Sequence, residues 1–223
     1  MFHVKHSRFI LSYFNKIDRM VKQIMHAAKQ RRNTSNNIKT TNCKMDKTKE
    51  NYLVEHLRSI QDFPKKGINF RDVTTLFKDA KCLEIMEEEL YKMYKDKGIT
   101  KVVALESRGY IMGAILARKL NAGFVMVRKP GKLPAKTISE EYEKEYGTDS
   151  IEMHEDALCS DDVVLIHDDL LATGGTMKAT VNMVKRFNPK ACYINFLIEI
   201  RDEGLTGREF IGDDTPIDVL INV

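Results

Sequence analysis

Between Val163 and Thr176 the chain carries its most constraining segment. An apolar run, Val163-Val164-Leu165-Ile166-His167, ends in two adjacent carboxylates, Asp168 and Asp169. A turn of small residues follows, Ala172-Thr173-Gly174-Gly175-Thr176, and then a helix-like stretch from Met177 to Phe187. Continuous branched residues suit an interior parallel strand covered on both faces. The turn leaves backbone N–H groups unpaired at the positive end of a helix, which makes a phosphate site. The carboxylates just before it can accept hydrogen bonds from vicinal hydroxyls. One phosphate and one diol a few ångströms apart describe a ribose 5-phosphate.

Rival motifs fail on spacing. A Walker A loop needs G-x-x-x-x-G-K-[ST], but Gly175 is followed by Thr176 and Lys178 comes too late. The dinucleotide fingerprint G-x-G-x-x-G is absent. An ordinary helix cap would explain the Asp pair alone, but not the whole strand–turn–helix segment.

The rest of the body alternates helices and strands. Asp46–Ile60 reads as a helix with Leu53, Val54, Leu57 and Ile60 on one stripe, stopped at Asp62-Phe63-Pro64. Asp79–Lys97 reads as a second, with Leu83, Met86, Leu90, Met93 and Tyr94 inward, Glu87-Glu88-Glu89 mostly outward, and Gly98 closing it. Strands are expected at 101–105, 123–127, 162–167 and 191–198, and helices at 110–120 and 175–187. This order predicts an α/β fold, a parallel twisted sheet with helices on both faces. Ligands then gather beyond the carboxyl ends of the strands.

Loops at those ends carry the candidate chemistry. Glu106-Ser107-Arg108-Gly109-Tyr110, at a strand–helix junction, offers a hydroxyl, a guanidinium and backbone N–H groups to an anion. Arg128-Lys129-Pro130-Gly131-Lys132-Leu133-Pro134 leads into a polar stretch, 135–150, too charged to pack as core and long enough to be a lid.

Charge divides the chain. Residues 1–44 hold ten Lys/Arg against one acid, Asp18, a charge of +9; with a chain total of +4 the remainder carries −5. An acidic body is no nucleic-acid footprint, so no nucleic-acid partner is expected. Cys43, Cys82, Cys159 and Cys192 are widely spaced, which argues against zinc and disulfides and suits the reducing cytoplasm. No apolar run is long enough to span a membrane. Residues 1–44 read as a basic extension: a targeting segment, a nucleic-acid arm, a disordered tail, or translation assigned upstream of a start at Met45. The last two explain its composition better than the functional ones. The working domain is expected at 45–223.

The motifs together resemble the type I phosphoribosyltransferases, whose binding motif for 5-phosphoribosyl-1-pyrophosphate (PRPP) is similar to Asp168–Thr176. Arg128-Lys129-Pro130-Gly131-Lys132-Leu133-Pro134, with Glu145-Tyr146-Gly147, narrows the resemblance to the adenine-specific members rather than those for hypoxanthine, orotate or uracil. The resemblance runs from about Leu53 to the C-terminus, through Gly207-Arg208-Glu209, and implies a small hood and a flexible lid. It implies that Ala172, Thr173, Gly174, Gly175 and Thr176 hold the 5-phosphate and that Asp168 and Asp169 hold the ribose diol. Ser107, Arg108, Lys129, Lys132 and Tyr146 complete the PRPP site. Phe63–Asp72 resembles the hood segment, in which Asn69, Phe70 and Arg71 would meet the base, with Ile200 on its other face. Catalysis falls to Asp168, Asp169, Arg108 and Glu145. The substrates implied are adenine and PRPP, with Mg²⁺ held mainly through PRPP or pyrophosphate and no dedicated protein metal site, in a homodimer. Two departures are mild, Glu106 for Asp and Tyr110 for Phe; a third is His167, where Val or Ile is usual. Another purine transferase, or a PRPP-sensing transcriptional regulator, remains an alternative.

Overall fold

The computed structural model describes residues 45–63, 65–143, 147–201, 207–212 and 214–223, all within one compact unit, Lys44–Val223. The expectations for residues 1–44, Glu145 and Tyr146 lie outside the described residues.

Helix α1 (Lys47–His56) opens the unit, capped by Asp46, whose Oδ1 accepts from the Thr48 N–H at 2.7 Å. It stops short of the expected Ile60. Instead Arg58–Gln61 forms strand β1, antiparallel to β2 (Asn69–Asp72), with Ile60 opposite Phe70 and Arg58 opposite Asp72. The apolar stripe could have continued the helix, but a ladder partner ten residues on competed successfully, a tertiary override of local propensity. Val54 is accordingly exposed while Leu53 is fully buried.

After the short α2 (Thr74–Phe77) comes α3 (Ala80–Tyr94), capped by Asp79, which accepts from the Cys82 N–H at 2.7 Å. Glu89 departs from the expected outward acidic face: it is buried against α1 and accepts from Lys49 and Lys92 at 2.9 and 2.8 Å. The remaining order is β3 (Lys101–Leu105), α4 (Gly109–Lys119), β4 (Gly123–Val127), β5 (Thr137–Glu143), β6 (Thr148–His154), β7 (Val163–Leu171), α5 (Gly175–Lys185), β8 (Ala191–Glu199), α6 (Gly207–Ile211) and β9 (Ile217–Asn222).

Five described strands form an all-parallel sheet in the order β4-β3-β7-β8-β9. Its two faces bury separate cores, because successive strand residues point to opposite sides. Val102 and Leu165 pack with Leu53, Met86, Leu90 and Met112 of α1, α3 and α4. Val103 and Ile166 pack with Met177 and Val181 of α5. The expected doubly covered parallel sheet is therefore present.

The segment 135–150 is not an irregular loop. It is largely the β5–β6 ribbon, with Ile138 opposite Met153 and Tyr142 opposite Asp149. Its charges alternate with residues that face the second core: Ile151 and Met153 are buried there and Ile138 and Tyr142 partly so. Period-two alternation carried this information beneath the high charge density.

Candidate active site

Strand β7 continues four residues past the expected His167, so Asp168 and Asp169 stand within the strand rather than in the loop after it. Asp168 is paired with Phe196 of β8, which fixes its register. Asp169 is almost fully buried, and its Oδ2 lies 2.5 Å from Arg108 Nε. Burial, then the adjacent Asp169 charge, push the Asp168 carboxyl well above the ordinary carboxylate range. Burial also raises Asp169, against the opposing pull of Arg108. The pair titrates as a unit in which one proton is shared more readily than in isolated aspartates.

The glycine turn is built to leave helix N–H groups open. Gly174 sits at the cap of α5 with φ +79°, and a Cβ there would meet the Gly207 carbonyl oxygen at 2.6 Å. Gly207 is tighter still, since a Cβ added to it would fall 2.0 Å from the Ala172 oxygen. The turn thus lies backbone to backbone on α6. That helix is fastened by Arg208, which donates to both oxygens of Glu199 at 2.9 and 3.0 Å and to the Ile217 carbonyl at 3.0 Å. The first N–H groups of α5 have no partner within the helix and lie at its positive end. Ala172, Thr173, Gly174, Gly175 and Thr176 therefore frame an anion site next to the two carboxylates.

A second helix start lies against Asp168 itself. α4 begins at Gly109, where an added Cβ would lie 2.9 Å from Asp168 Oδ1 and 3.0 Å from the His167 carbonyl oxygen. Ser107 and Arg108 are held at that junction. The neighbouring Glu106 N–H donates to Val127 O at 3.0 Å, and Tyr110 Oη donates to the same oxygen at 2.8 Å.

Lys129 and Lys132 lie in the segment leaving β4, and each meets a carboxylate. Lys132 Nζ donates to Glu106, which also accepts from the Lys129 N–H at 3.1 Å and Arg128 Nε at 3.3 Å. Burial alone would raise Glu106, but these donors bring it down to about 2. Lys129 Nζ pairs with Asp149 and lies 2.9 Å from Tyr142 Oη. The Tyr142 ring in turn approaches Gly175: a Cβ on that glycine would be 3.3 Å from Tyr142 Cδ2. The ribbon therefore touches the phosphate turn. Beside that contact Tyr142, Gly175, Lys178, Asn182 and Phe210 border a cleft of about 390 Å³.

Asn69, Phe70 and Arg71 occupy β2 rather than a free loop. Phe70 meets Phe63 edge to face, with centroids 5.2 Å apart. Arg71 Nη1 donates to Ser59 Oγ, while Asn69 Oδ1 and Arg71 Nε are buried without a hydrogen-bond partner. Unmet buried polar atoms are rare and mark places where a ligand completes the bonding. Ile200 is half-buried just after β8, its N–H 3.4 Å from the Leu171 oxygen at the end of β7. Direct contacts thus unite Arg108, Asp169, Asp168 and the start of α4, with the cap of α5, Gly174, three residues beyond the end of β7. The β1–β2 hairpin is instead anchored by Asp72, through Arg58 Nε at 3.0 Å and Thr74 Oγ1 at 2.7 Å.

Sequence reasoning passes over Glu106, Asp149, Tyr142 and the Glu199–Arg208 brace as working parts. Isolated acids in a charged loop carry no periodic signal, and their partners are distant in the chain. Among the described residues no three His, Cys, Asp or Glu side chains converge to hold a metal ion.

His167 is a structural histidine. It is fully buried, its Nδ1 lies 2.8 Å from Asn195 Oδ1, and its Nε2 has no partner. Burial lowers its imidazole from 6.5 to about 4. A base neutral in the fold but protonated when unfolded contributes stability above pH 6.5 that is lost as pH falls through 4. The full loss amounts to about 3 kcal/mol. Resistance of wild type to denaturation should therefore weaken between pH 6.5 and 4 more steeply than that of His167→Val. Equal slopes would remove His167 as the cause.

Comparison with known proteins agrees with this geometry. The phosphoribosyl transferase domain family matches residues 72–203. An adenine phosphoribosyltransferase of Bacteroides thetaiotaomicron is 57% identical over 171 residues, covering 77% of this chain and 96% of the relative. The crystal structure of adenine phosphoribosyltransferase from Thermoanaerobacter pseudethanolicus is 46% identical with a TM-score of 0.73, over 78% of this chain and 99% of that one. The Saccharomyces cerevisiae enzyme, solved with adenine and an imino-altritol bisphosphate, is 32% identical with a TM-score of 0.72, over 78% and 99% of the two chains. A parallel sheet with buried paired aspartates beside a glycine-capped helix, and relatives that agree over nearly their whole length, give one answer: this chain belongs to the phosphoribosyltransferase family, among the adenine phosphoribosyltransferases.

Proposed function

We propose that the chain transfers the phosphoribosyl group of PRPP to adenine, forming AMP and pyrophosphate. The observation that carries this reading is the convergence of Arg108, the Asp168–Asp169 pair and the Gly174 turn on adjacent strand and helix ends. The open N–H groups of α5, with Thr173 and Thr176, receive the 5-phosphate. Asp168 and Asp169 accept hydrogen bonds from the ribose hydroxyls. As the C–O bond to pyrophosphate breaks, positive charge grows on the sugar, and these fixed carboxylates stabilise it where it forms. Ser107, Arg108, Lys129 and Lys132 take up the negative charge of the leaving group. Adenine lies between Phe70 and Ile200, with Asn69 and Arg71 at its edge, an apolar slot containing a few polar groups. The adenine proton is assigned to Glu145 and a PRPP contact to Tyr146, both outside the described residues, and exclusion of water protects the cation from being trapped.

The two carboxylates suit Mg²⁺ that is held chiefly by substrate oxygens, since Asp169 already serves Arg108. When bound, the ion supplies Lewis-acid neutralisation of the pyrophosphate. The working assembly is a homodimer. Edge strand β4 leaves Phe124 and Met126 exposed, alternating with buried Val125 and Val127, which suits a second copy. No helix among the described residues is long and apolar enough to cross a membrane. The reading places the enzyme in the cytoplasm, with small-molecule partners and no nucleic acid.

Its domain is residues 45–223, since every substrate contact named here lies within that range. Formation of AMP that requires both adenine and PRPP tests the reading; a chain that binds PRPP without turnover is the regulator alternative. The full chain and residues 45–223 should give the same kcat and melt at nearly the same temperature. Lost activity on truncation would make the first 44 residues part of the enzyme.

A further inference from the structure

We infer that Glu106 and Asp149 are positioning residues that hold the pyrophosphate-binding cations and compete with pyrophosphate for them. The inference rests on the reading of those cations as a pyrophosphate subsite. Three basic residues take the leaving group in that reading, and each is already paired with a carboxylate of its own chain. Arg108 lies against Asp169 of β7, Lys129 against Asp149 of β6, and Lys132 against Glu106 at the end of β3.

Glu106 is the focus of this arrangement. Its side chain is mostly buried yet takes donors from Lys132 Nζ, the Lys129 N–H at 3.1 Å and Arg128 Nε at 3.3 Å. A phosphate oxygen would ask for the same geometry: two cationic side chains and a backbone N–H around one anion. Asp149 does likewise for Lys129, with Tyr142 Oη 3.2 Å from Asp149 Oδ2. The Lys129 and Lys132 side chains are about half exposed, at 40% and 46%, so an entering anion can reach them.

The physical consequence has a definite sign. The acids neutralise cations that otherwise repel one another, while the segment after β4 keeps its backbone bridge between Arg128 and Glu152 with or without those charges. With the acids present, the cations wait in place. Pyrophosphate enters by exchanging partners, and the displaced carboxylate charge then remains a few ångströms from the polyanion. It opposes retention of the product and so favours its release. A carboxylate that merely props up the loop predicts the reverse, because its removal would loosen the site and weaken binding.

Calorimetry of pyrophosphate with Mg²⁺ on the full chain separates the two. Glu106→Gln, which keeps the shape and removes the charge, should bind pyrophosphate at least about fivefold more tightly and lower the KM for PRPP by a similar factor. Its kcat should not rise, since product leaves more slowly. Glu106→Asp, which retains the charge, should stay within about twofold of wild type. Asp149→Asn should move in the same direction as Glu106→Gln and decides alone should that variant not fold. Unchanged or weaker pyrophosphate binding in the variants that fold overturns the inference. Failure of wild type to bind pyrophosphate at all instead removes the subsite reading on which it rests.

Discussion

Asp168→Asn combined with Asp169→Asn should lower turnover by at least about a hundredfold, the scale expected when an electrostatic contact made mainly in the transition state is lost. The two substitutions keep shape and hydrogen-bonding size while removing the ionisable carboxylates proposed to hold the ribose. Position magnifies the effect. Asp169 is 4% exposed and paired with Arg108, so its charge acts where water screens it little. The loss should fall on kcat more than on the KM for adenine, whose proposed contacts are on β2. Thermal denaturation must accompany the kinetics, because Arg108 loses its partner in the variant. Wild-type turnover by a folded double variant would sink the assignment.

Base choice should be steeper still: kcat/KM for adenine should exceed that for hypoxanthine by at least about a thousandfold. A site built on hydrogen bonds rejects the wrong partner strongly because a buried group is then left unpaired. Adenine presents an amino group where hypoxanthine presents a carbonyl, so an acceptor that suits one repels the other. Asn69 Oδ1 and Arg71 Nε are buried and unpaired in the structure, which makes them groups with unmet bonds next to Phe70. Comparable efficiencies on the two bases would refute this base-reading site while leaving the phosphate and ribose sites standing.

Much of this architecture is legible in residue order. The runs Lys101–Leu105 and Gly123–Val127 coincide with β3 and β4 residue for residue; β3, buried on both faces, leaves an apolar signature, and edge strand β4 keeps one although Phe124 and Met126 are exposed. The helix beginning at Asp79, the turn at 172–176 and the helix after it are equally plain, since each depends on chemistry within a few residues. The same local chemistry carries the proposal of a phosphate and ribose site at Asp168, Asp169 and the glycine turn.

Other features depend on partners far away in the chain. Arg58–Gln61 reads as helical until β2 offers a ladder, and 135–150 reads as irregular until Ile151 and Met153 find the sheet. Nothing near Arg108 indicates that it faces Asp169, sixty-one residues on, and nothing near Glu106 indicates Lys132. Gly207 reads as an ordinary glycine, yet the Ala172 carbonyl leaves no room for any side chain there. Local sequence determined the fold class, because backbone conformation and periodic burial are short-range properties. Only the tertiary structure decided which charges meet, because ion pairing depends on distances in space that the chain's order does not encode.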